Sequence, residues 1–358
     1  MNVIIVGQFG VESFGLHIKE NLLKMGHNVV ACVPFYQENE NGDRQKKSVM
    51  GRVLASFDDK LRFSSKNSRE RVMKRIIGEV TRHSADLVIC TKDYFLDYEI
   101  EYIKKTTQSK VVMWFPDHMI TFGRATFMNA GYDCLFFKDP YIVRQLRSIY
   151  RRNAIYLPEC FSPIRHKLVD YNVDDEKEYS SDIAMIGNLH SFRVPLMECL
   201  TNYDLKIYGT ENPWWLNIDR IRNKYTGKYM AYEEKSKAIK YAKINLNTLF
   251  IGEVEGVNVR AFEICGMGGF QILQKKPGVN DLFTEGKEVI TYTSVDELLE
   301  LIDYYLNHDK ERLQIANAGY IRAINEHTYE HRLNRMFKFA FGDRFNEEDY
   351  YDYKRYSE

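Results

Sequence analysis

Apolar residues in this chain fall into short unbroken runs, separated by stretches with helical spacing. Residues 3–6 form the first run, four apolar side chains with no alternation. That is the pattern of a strand covered on both faces, as in a parallel sheet. Leu16, Ile18, Leu22 and Leu23 follow at helical spacing up to Gly26, a glycine placed to end the helix. A second apolar run, 28–33, stops at Pro34 and completes a β-α-β unit. Further strands are predicted at 87–90, 110–115, 134–137 and 154–157, alternating with helices at 71–81, 98–105 and 141–151. Residues 36–70 are polar and read as an insertion with one strand near 50–55.

The polar stretch 161–180 reads as a link, after which the alternation resumes. Strands are predicted at 183–186, 205–208, 244–249, 270–273 and 288–292. Helices are predicted at 194–200, 233–242, 258–265, 295–307 and 310–325. Ser294 and Glu297 have the spacing of a capping box. The expectation is two doubly wound α/β domains: 1–160, a link at 161–180, 181–335, and a tail at 336–358. The tail is either a frayed end or a segment crossing back to the first domain.

Composition narrows the reading. The 358 residues include 50 Lys plus Arg against 50 Asp plus Glu, a zero formal charge that argues against a globally basic nucleic-acid surface. Six cysteines form no CxxC pair, and Cys32 and Cys90, at the ends of apolar runs, read as buried thiols. The N-terminus lacks the marks of a signal peptide. No apolar run approaches the length of a membrane span. The expected location is the cytoplasm, with membrane contact, if any, peripheral.

Candidate chemistry sits where strands meet helices. Gly7 and Gly10 follow the first strand, with Gly15 beyond them. Their spacing is not a dinucleotide fingerprint, and no acid closes the second strand. A glycine turn leading into a helix suits an anion, or it is a turn and no more. Gly187 repeats the arrangement, with Arg193 near the next helix start as either a phosphate ligand or a solvated side chain. The segment from Glu253 to Glu263 carries three carboxylates with Asn258 and Arg260, and Gly266, Gly268 and Gly269 follow. Asn258 is placed to cap a helix. Glu263 is either solvated or aimed at a hydroxyl-bearing ligand, and the three glycines permit close packing or close ligand approach. Trp214 and Trp215 read as closing the core, with base stacking as the alternative. His327 and His331 read as packing rather than as a metal pair, and no metal site is predicted. The first reading of the whole is an enzyme binding an anionic nucleotide-type ligand in a cleft between its domains.

The two-domain pattern resembles the nucleotide-sugar glycosyltransferases of the GT-B fold, two Rossmann-like domains facing across a cleft. Its strongest likeness is to the group-1 glycosyltransferase-like branch that includes the CgeB family. It rests on Glu255 and Glu263 with seven residues between, on 256–269, on Asp281-Leu-Phe283 with Gly286-Lys-Glu288, and on Glu326-His-Thr-Tyr-Glu-His-Arg332. The resemblance implies a hexosyltransferase-type enzyme moving sugar from a nucleoside-diphosphate sugar to an unidentified acceptor, most often with retention, and without cofactor or metal. It implies that Glu263 holds ribose hydroxyls and that Glu255 lies by the sugar or its phosphates. Asn258, Val259 and Arg260 would lie under the diphosphate, and Arg193 would bind phosphate. The family's lysine shortly after that arginine is absent, since Val194-Pro-Leu-Met197 follows. Gly7 and Gly10 would face the donor from the acceptor-side domain, where His118 and Asp117 are the candidate bases. Two rival readings remain: a nucleotide-sugar epimerase or phosphorylase on the same fold, and a non-catalytic binding or structural protein.

Overall fold

The computed structural model describes residues 1–34, 66–210, 212–342 and 346–350. The expected strand near 50–55, most of the 36–70 insertion and the end of the tail lie outside the described residues. The chain divides into two compact units. Residues 1–138 and 142–157 cluster in the first, joined by the described residues from 333 to 350; residues 158–332 and 139–141 cluster in the second.

In the first unit, β1 (Asn2–Val6), β2 (Asn28–Cys32), β3 (Leu87–Cys90), β4 (Lys110–Phe115), β5 (Cys134–Phe137) and β6 (Ala154–Tyr156) form one sheet. Its order is β2-β1-β3-β4-β5-β6, and every pairing is parallel. β3 and β5 are buried at every residue, which explains their lack of alternation. The helices are α1 (Phe14–Lys24), α2 (Lys66–Arg82), α3 (Asp97–Thr107) and α4 (Pro140–Ser148). Ser13 caps α1 by accepting the Leu16 N–H. Gly26, at φ +82°, ends it, with the Gly26 and His27 N–H groups donating to the Leu23 and Leu22 carbonyls. α2 and α3 are tied by a buried Arg69–Glu99 ion pair at 2.7 Å.

The second unit contains α5 (Val173–Tyr179), β7 (Ser181–Ile186), α6 (Val194–Glu198), β8 (Leu205–Tyr208), α7 (Tyr232–Tyr241) and β9 (Ala242–Asn247). It continues through α8 (Arg260–Gly266), β10 (Gln271–Gln274), α9 (Val279–Leu282), β11 (Ile290–Tyr292), α10 (Val295–Leu306) and α11 (Asp309–Glu326). The sheet order is β11-β10-β9-β7-β8, again all parallel. In chain order this is 2-1-3-4-5, and the first sheet repeats it with a sixth strand added. Both halves are doubly wound, as the pattern predicted. Ile183, Ile207, Ile244, Ile272, Leu298 and Ile302 lie at the centre of an apolar core on one side of the second sheet.

Three differences from the predicted elements have local causes. The stretch 161–180 holds α5, capped by the Asn172 side chain on the N–H groups of Asp174 and Asp175; its run of charges is a first turn of acids suited to a helix N-terminus. The last strand is shorter than predicted, because the Glu288 carboxylate turns back to accept the Thr284 N–H. A final helix, α12 (Tyr329–Phe341), begins in the second unit, and from Leu333 its residues cluster with the first.

Five of the six cysteines are buried and all are free. Burial pushes the Cys32 thiol up to about 11 and Cys265 up to about 12, so both stay protonated at neutral pH. Among the described residues, no helix is long and apolar enough to cross a membrane.

Candidate functional site

In a doubly wound sheet, ligands bind beyond the carboxyl ends of the strands, where the strand order reverses. In the second unit that point lies between β7 and β9. Gly187 follows β7 and Thr248 follows β9. Gly187 has φ +139°, a backbone conformation that favours glycine. A Cβ there would stand 3.1 Å from Arg260 Nη1 and 3.6 Å from Arg193 Nη1. Two guanidinium groups therefore converge on this one glycine.

Arg193 is 4% exposed, so it is not a solvated helix arginine. Its Nε donates to Thr248 Oγ1 at 2.9 Å, and Nη1 donates to the Asn188 carbonyl at 2.5 Å. Burial, and then the charge of Arg260, push its pKa down to about 9. Arg260 is half-buried at the start of α8, and burial also lowers its pKa. Among the described residues, neither guanidinium has a carboxylate within salt-bridge distance. The nearby His190 pKa is lowered by burial and by both arginines. Glu263, Glu159 and Glu253 attract Arg260 only from beyond salt-bridge distance and do not offset its burial, so two like charges held this close make a place that gains from an arriving anion.

The loop from β9 to α8 supports this spot. Asn247 and Asn258 exchange side-chain amide bonds at 2.9 and 3.1 Å, both buried. Asn258 Oδ1 also accepts the Ala261 N–H at 3.3 Å, so it caps the helix start as its type suggested. Its polar atoms hold protein groups and fix the backbone under Arg260. Glu255 is half-buried; its N–H, with that of Val254, donates to the Asp139 carboxylate. Glu263 lies one turn inside α8 and is buried. Its Oε1 is 3.2 Å from Lys235 Nζ and 3.6 Å from His166 Nε2, both also buried.

Lys235 and His166 were not singled out in the sequence. Lys235 had a signal: it shares the apolar face of α7 with Ala238 and Ile239, at spacings of three and four. A lysine on a core-facing stripe needs a carboxylate. His166, in a polar loop, carried none.

The remaining motifs of this unit build structure. A Cβ on Gly266 would lie 2.4 Å from the Phe161 ring, and one on Gly269 would lie 2.4 Å from Ile239. Gly268, at φ +76°, ends α8. Packing and helix termination thus account for all three glycines. Gly266→Ala is expected to cost about 1–3 kcal/mol in overpacking, measured by urea denaturation.

His327 is fully buried; Nε2 pairs with the Leu282 carbonyl at 2.8 Å and Nδ1 with Arg332 Nη2 at 3.0 Å. His331 instead bonds Thr328 Oγ1 at 2.7 Å, so the two histidines serve separate packing tasks. With Arg332 donating to Nδ1, His327 is held neutral; burial and then the Arg332 charge depress its pKa well below 6.5. Below pH 6.5 the unfolded chain therefore binds a proton that the folded chain refuses. This contribution is full above pH 6.5 and is lost as pH falls, by about 1.4 kcal/mol per unit. Urea melts between pH 7 and 5 should show that slope reduced by one proton in His327→Gln.

In the first unit, Gly7 ends β1, and a Cβ on it would meet Thr91 Oγ1 at 2.6 Å; close packing requires this glycine. The Gly10 carbonyl accepts the Ser13 N–H in the turn before α1. Asp117 and His118 follow the carboxyl end of β4. Asp117 pairs with Lys92 at 3.5 Å, and the His118 carbonyl accepts the Thr121 hydroxyl. One expectation is overturned: Trp214 is 95% exposed, and Trp215 is exposed as well, so neither closes the core. Leu216 and Ile218, just after them, take the buried positions and leave the two indoles outside.

Residues 193–338 match a family described as glycosyl transferase-like. The spore protein CgeB of Bacillus subtilis (strain 168) is 22% identical over 196 residues, covering 50% of this chain and 59% of that protein. The solved structure of a glycosyltransferase from Rickettsia africae superposes with a TM-score of 0.66 at 11% identity, over 96% of this chain and 99% of the other. Sucrose-phosphate synthase from Thermosynechococcus elongatus gives 0.64 at 10% identity, over 94% and 98%. Anabaena HepE in complex with UDP-glucose gives 0.63 at 10% identity, also over 94% and 98%. These likenesses establish the fold as the GT-B type, with two Rossmann-like units.

Proposed function

We propose that this chain is a glycosyltransferase that takes sugar from a nucleoside-diphosphate sugar held by its second unit. The observation that carries the reading is the pair of arginines without a carboxylate partner at Gly187, at the strand-order reversal. In the transfer, the bond from the anomeric carbon to the diphosphate oxygen breaks, and a bond to an acceptor hydroxyl oxygen forms. The leaving diphosphate takes the bonding electrons, and its growing charge is met by Arg193 and Arg260. The acceptor proton passes to a base or to the leaving phosphate. Glu263, aimed by Lys235, is assigned to the ribose hydroxyls, and Glu255 to the sugar or its phosphates. Asp117 and His118 of the first unit are assigned to acceptor activation. Retention at the anomeric carbon belongs to this reading and is checked by NMR of the product.

Calorimetry with UDP-, GDP-, ADP-, dTDP- and CMP-sugars tests the reading. One donor should bind and stabilise the fold by mass action. Glu263→Gln should weaken it at least tenfold, whereas Asp117→Asn and His118→Gln should slow turnover without changing donor affinity. Binding of none of the five would sink the proposal. Donor binding without transfer to any acceptor would favour a binding protein.

A further inference from the structure

Residues 140–153 contain four arginines and no aspartate or glutamate, in a chain whose charges balance as a whole. They form α4 and the turn after it, with residues 142–153 in the first unit, and lie outside every residue used above. Arg147, Arg151, Arg152 and Asn153 line an open concavity of about 330 Å³. Arg147 Nη1 donates to the Ala154 carbonyl at 3.3 Å, and its guanidinium lies 3.4 Å above the Tyr350 ring. Among the described residues, the Arg151 and Arg152 guanidinium groups have no carboxylate partner. The turn is pinned by its backbone: the Arg151 N–H donates to the Arg147 carbonyl and the Arg152 N–H to the Leu146 carbonyl. Arg151 takes φ +51°, a conformation unusual for a side-chain-bearing residue. Between these pins, Ile149 and Tyr150 are 61% and 54% exposed. The cationic concavity thus has an apolar tip held beside it.

We infer that this turn docks on an anionic lipid surface, with a headgroup phosphate in the arginine concavity and Ile149 and Tyr150 at interfacial depth. Guanidinium groups match phosphate oxygens in pairs. Tyrosine suits the boundary between headgroups and acyl chains. A soluble phosphate ligand would account for the cations but not for the exposed apolar pair beside them.

Flotation of the full chain with vesicles tests the inference. The protein should float with phosphatidylcholine vesicles containing phosphatidylglycerol, should not float with phosphatidylcholine alone, and should detach at high salt. Arg151→Gln with Arg152→Gln should weaken flotation by roughly 25-fold, about fivefold for each charge removed near the surface. Tyr150→Ser should weaken it too. Melting temperature and nucleotide affinity measured on the same variants separate a docking defect from misfolding or a failed donor site. Equal binding to neutral vesicles, no binding to acidic ones, or wild-type flotation of the double variant would overturn the docking. Displacement by millimolar inorganic phosphate would reassign the concavity to a soluble anion. Tighter binding to single-stranded RNA than to acidic vesicles would reassign the patch to nucleic acid.

Discussion

Arg260→Met is expected to weaken nucleoside-diphosphate affinity by roughly 10–150-fold while leaving the melting temperature unchanged or raised. The loss follows from removing hydrogen bonds to a charged group, worth about 1.5–3 kcal/mol. The stability follows from the contacts. Arg260 has no carboxylate partner within salt-bridge distance among the described residues, and its charge helps to depress Arg193. Removing it relieves repulsion and a desolvated charge, a cost that the more distant Glu263, Glu159 and Glu253 offset only in part, and methionine keeps most of the apolar stem. Arg193→Met should lower both affinity and stability, because Arg193 also holds Thr248 Oγ1 and the Asn188 carbonyl. Calorimetry with the matched nucleotide and thermal melts of both variants measure the contrast. If Arg260→Met melted far below wild type with its affinity intact, Arg260 would be a structural arginine and the anion site would be lost.

Arg332→Met should be the most destabilising substitution considered, by about 3–5 kcal/mol, read from urea denaturation. Arg332 is fully buried. Its guanidinium donates to the carbonyls of Pro158, Glu159 and Glu326 and to His327 Nδ1. Methionine fills similar volume but donates to none of them, so three buried acceptors and the half-buried Glu326 carbonyl lose their donor. The site at Gly187 uses none of these groups, so nucleotide affinity of the folded fraction should stay near wild type. A loss below about 1 kcal/mol would mean that water replaces the guanidinium.

The strands were legible because parallel strands buried on both faces leave runs too compact to mistake; 87–90, 110–115, 134–137 and 205–208 match the observed bounds. The Ser294 cap was legible for the same local reason: its hydroxyl accepts the Glu297 N–H three residues on. α5 was hidden by the polarity of 161–180, and α12, though clearly amphipathic, lies past the last predicted element. In the candidate site, Gly187, Arg193, Asn258, Arg260 and Glu263 stood out in the sequence. The convergence of the two arginines did not, because Arg193 and Arg260 are 67 residues apart in the numbering. Lys235 went unnoticed because its partner lies across a helix pair.

The sequence by itself determined the alternation of strands and helices, the glycines that end helices, and the acids and arginines that chemistry would use. Each of these depends on neighbours within a few residues, where spacing carries the physics. Only the tertiary structure decided the strand order, and with it the reversal point that gathers Gly187, Arg193 and Arg260. It also decided that Gly266 and Gly269 serve packing, that Glu263 is held by Lys235 and His166, and that Trp214 faces outward. Those outcomes depend on what lies across a sheet or beneath a helix, and a single chain's local pattern does not record its distant neighbours.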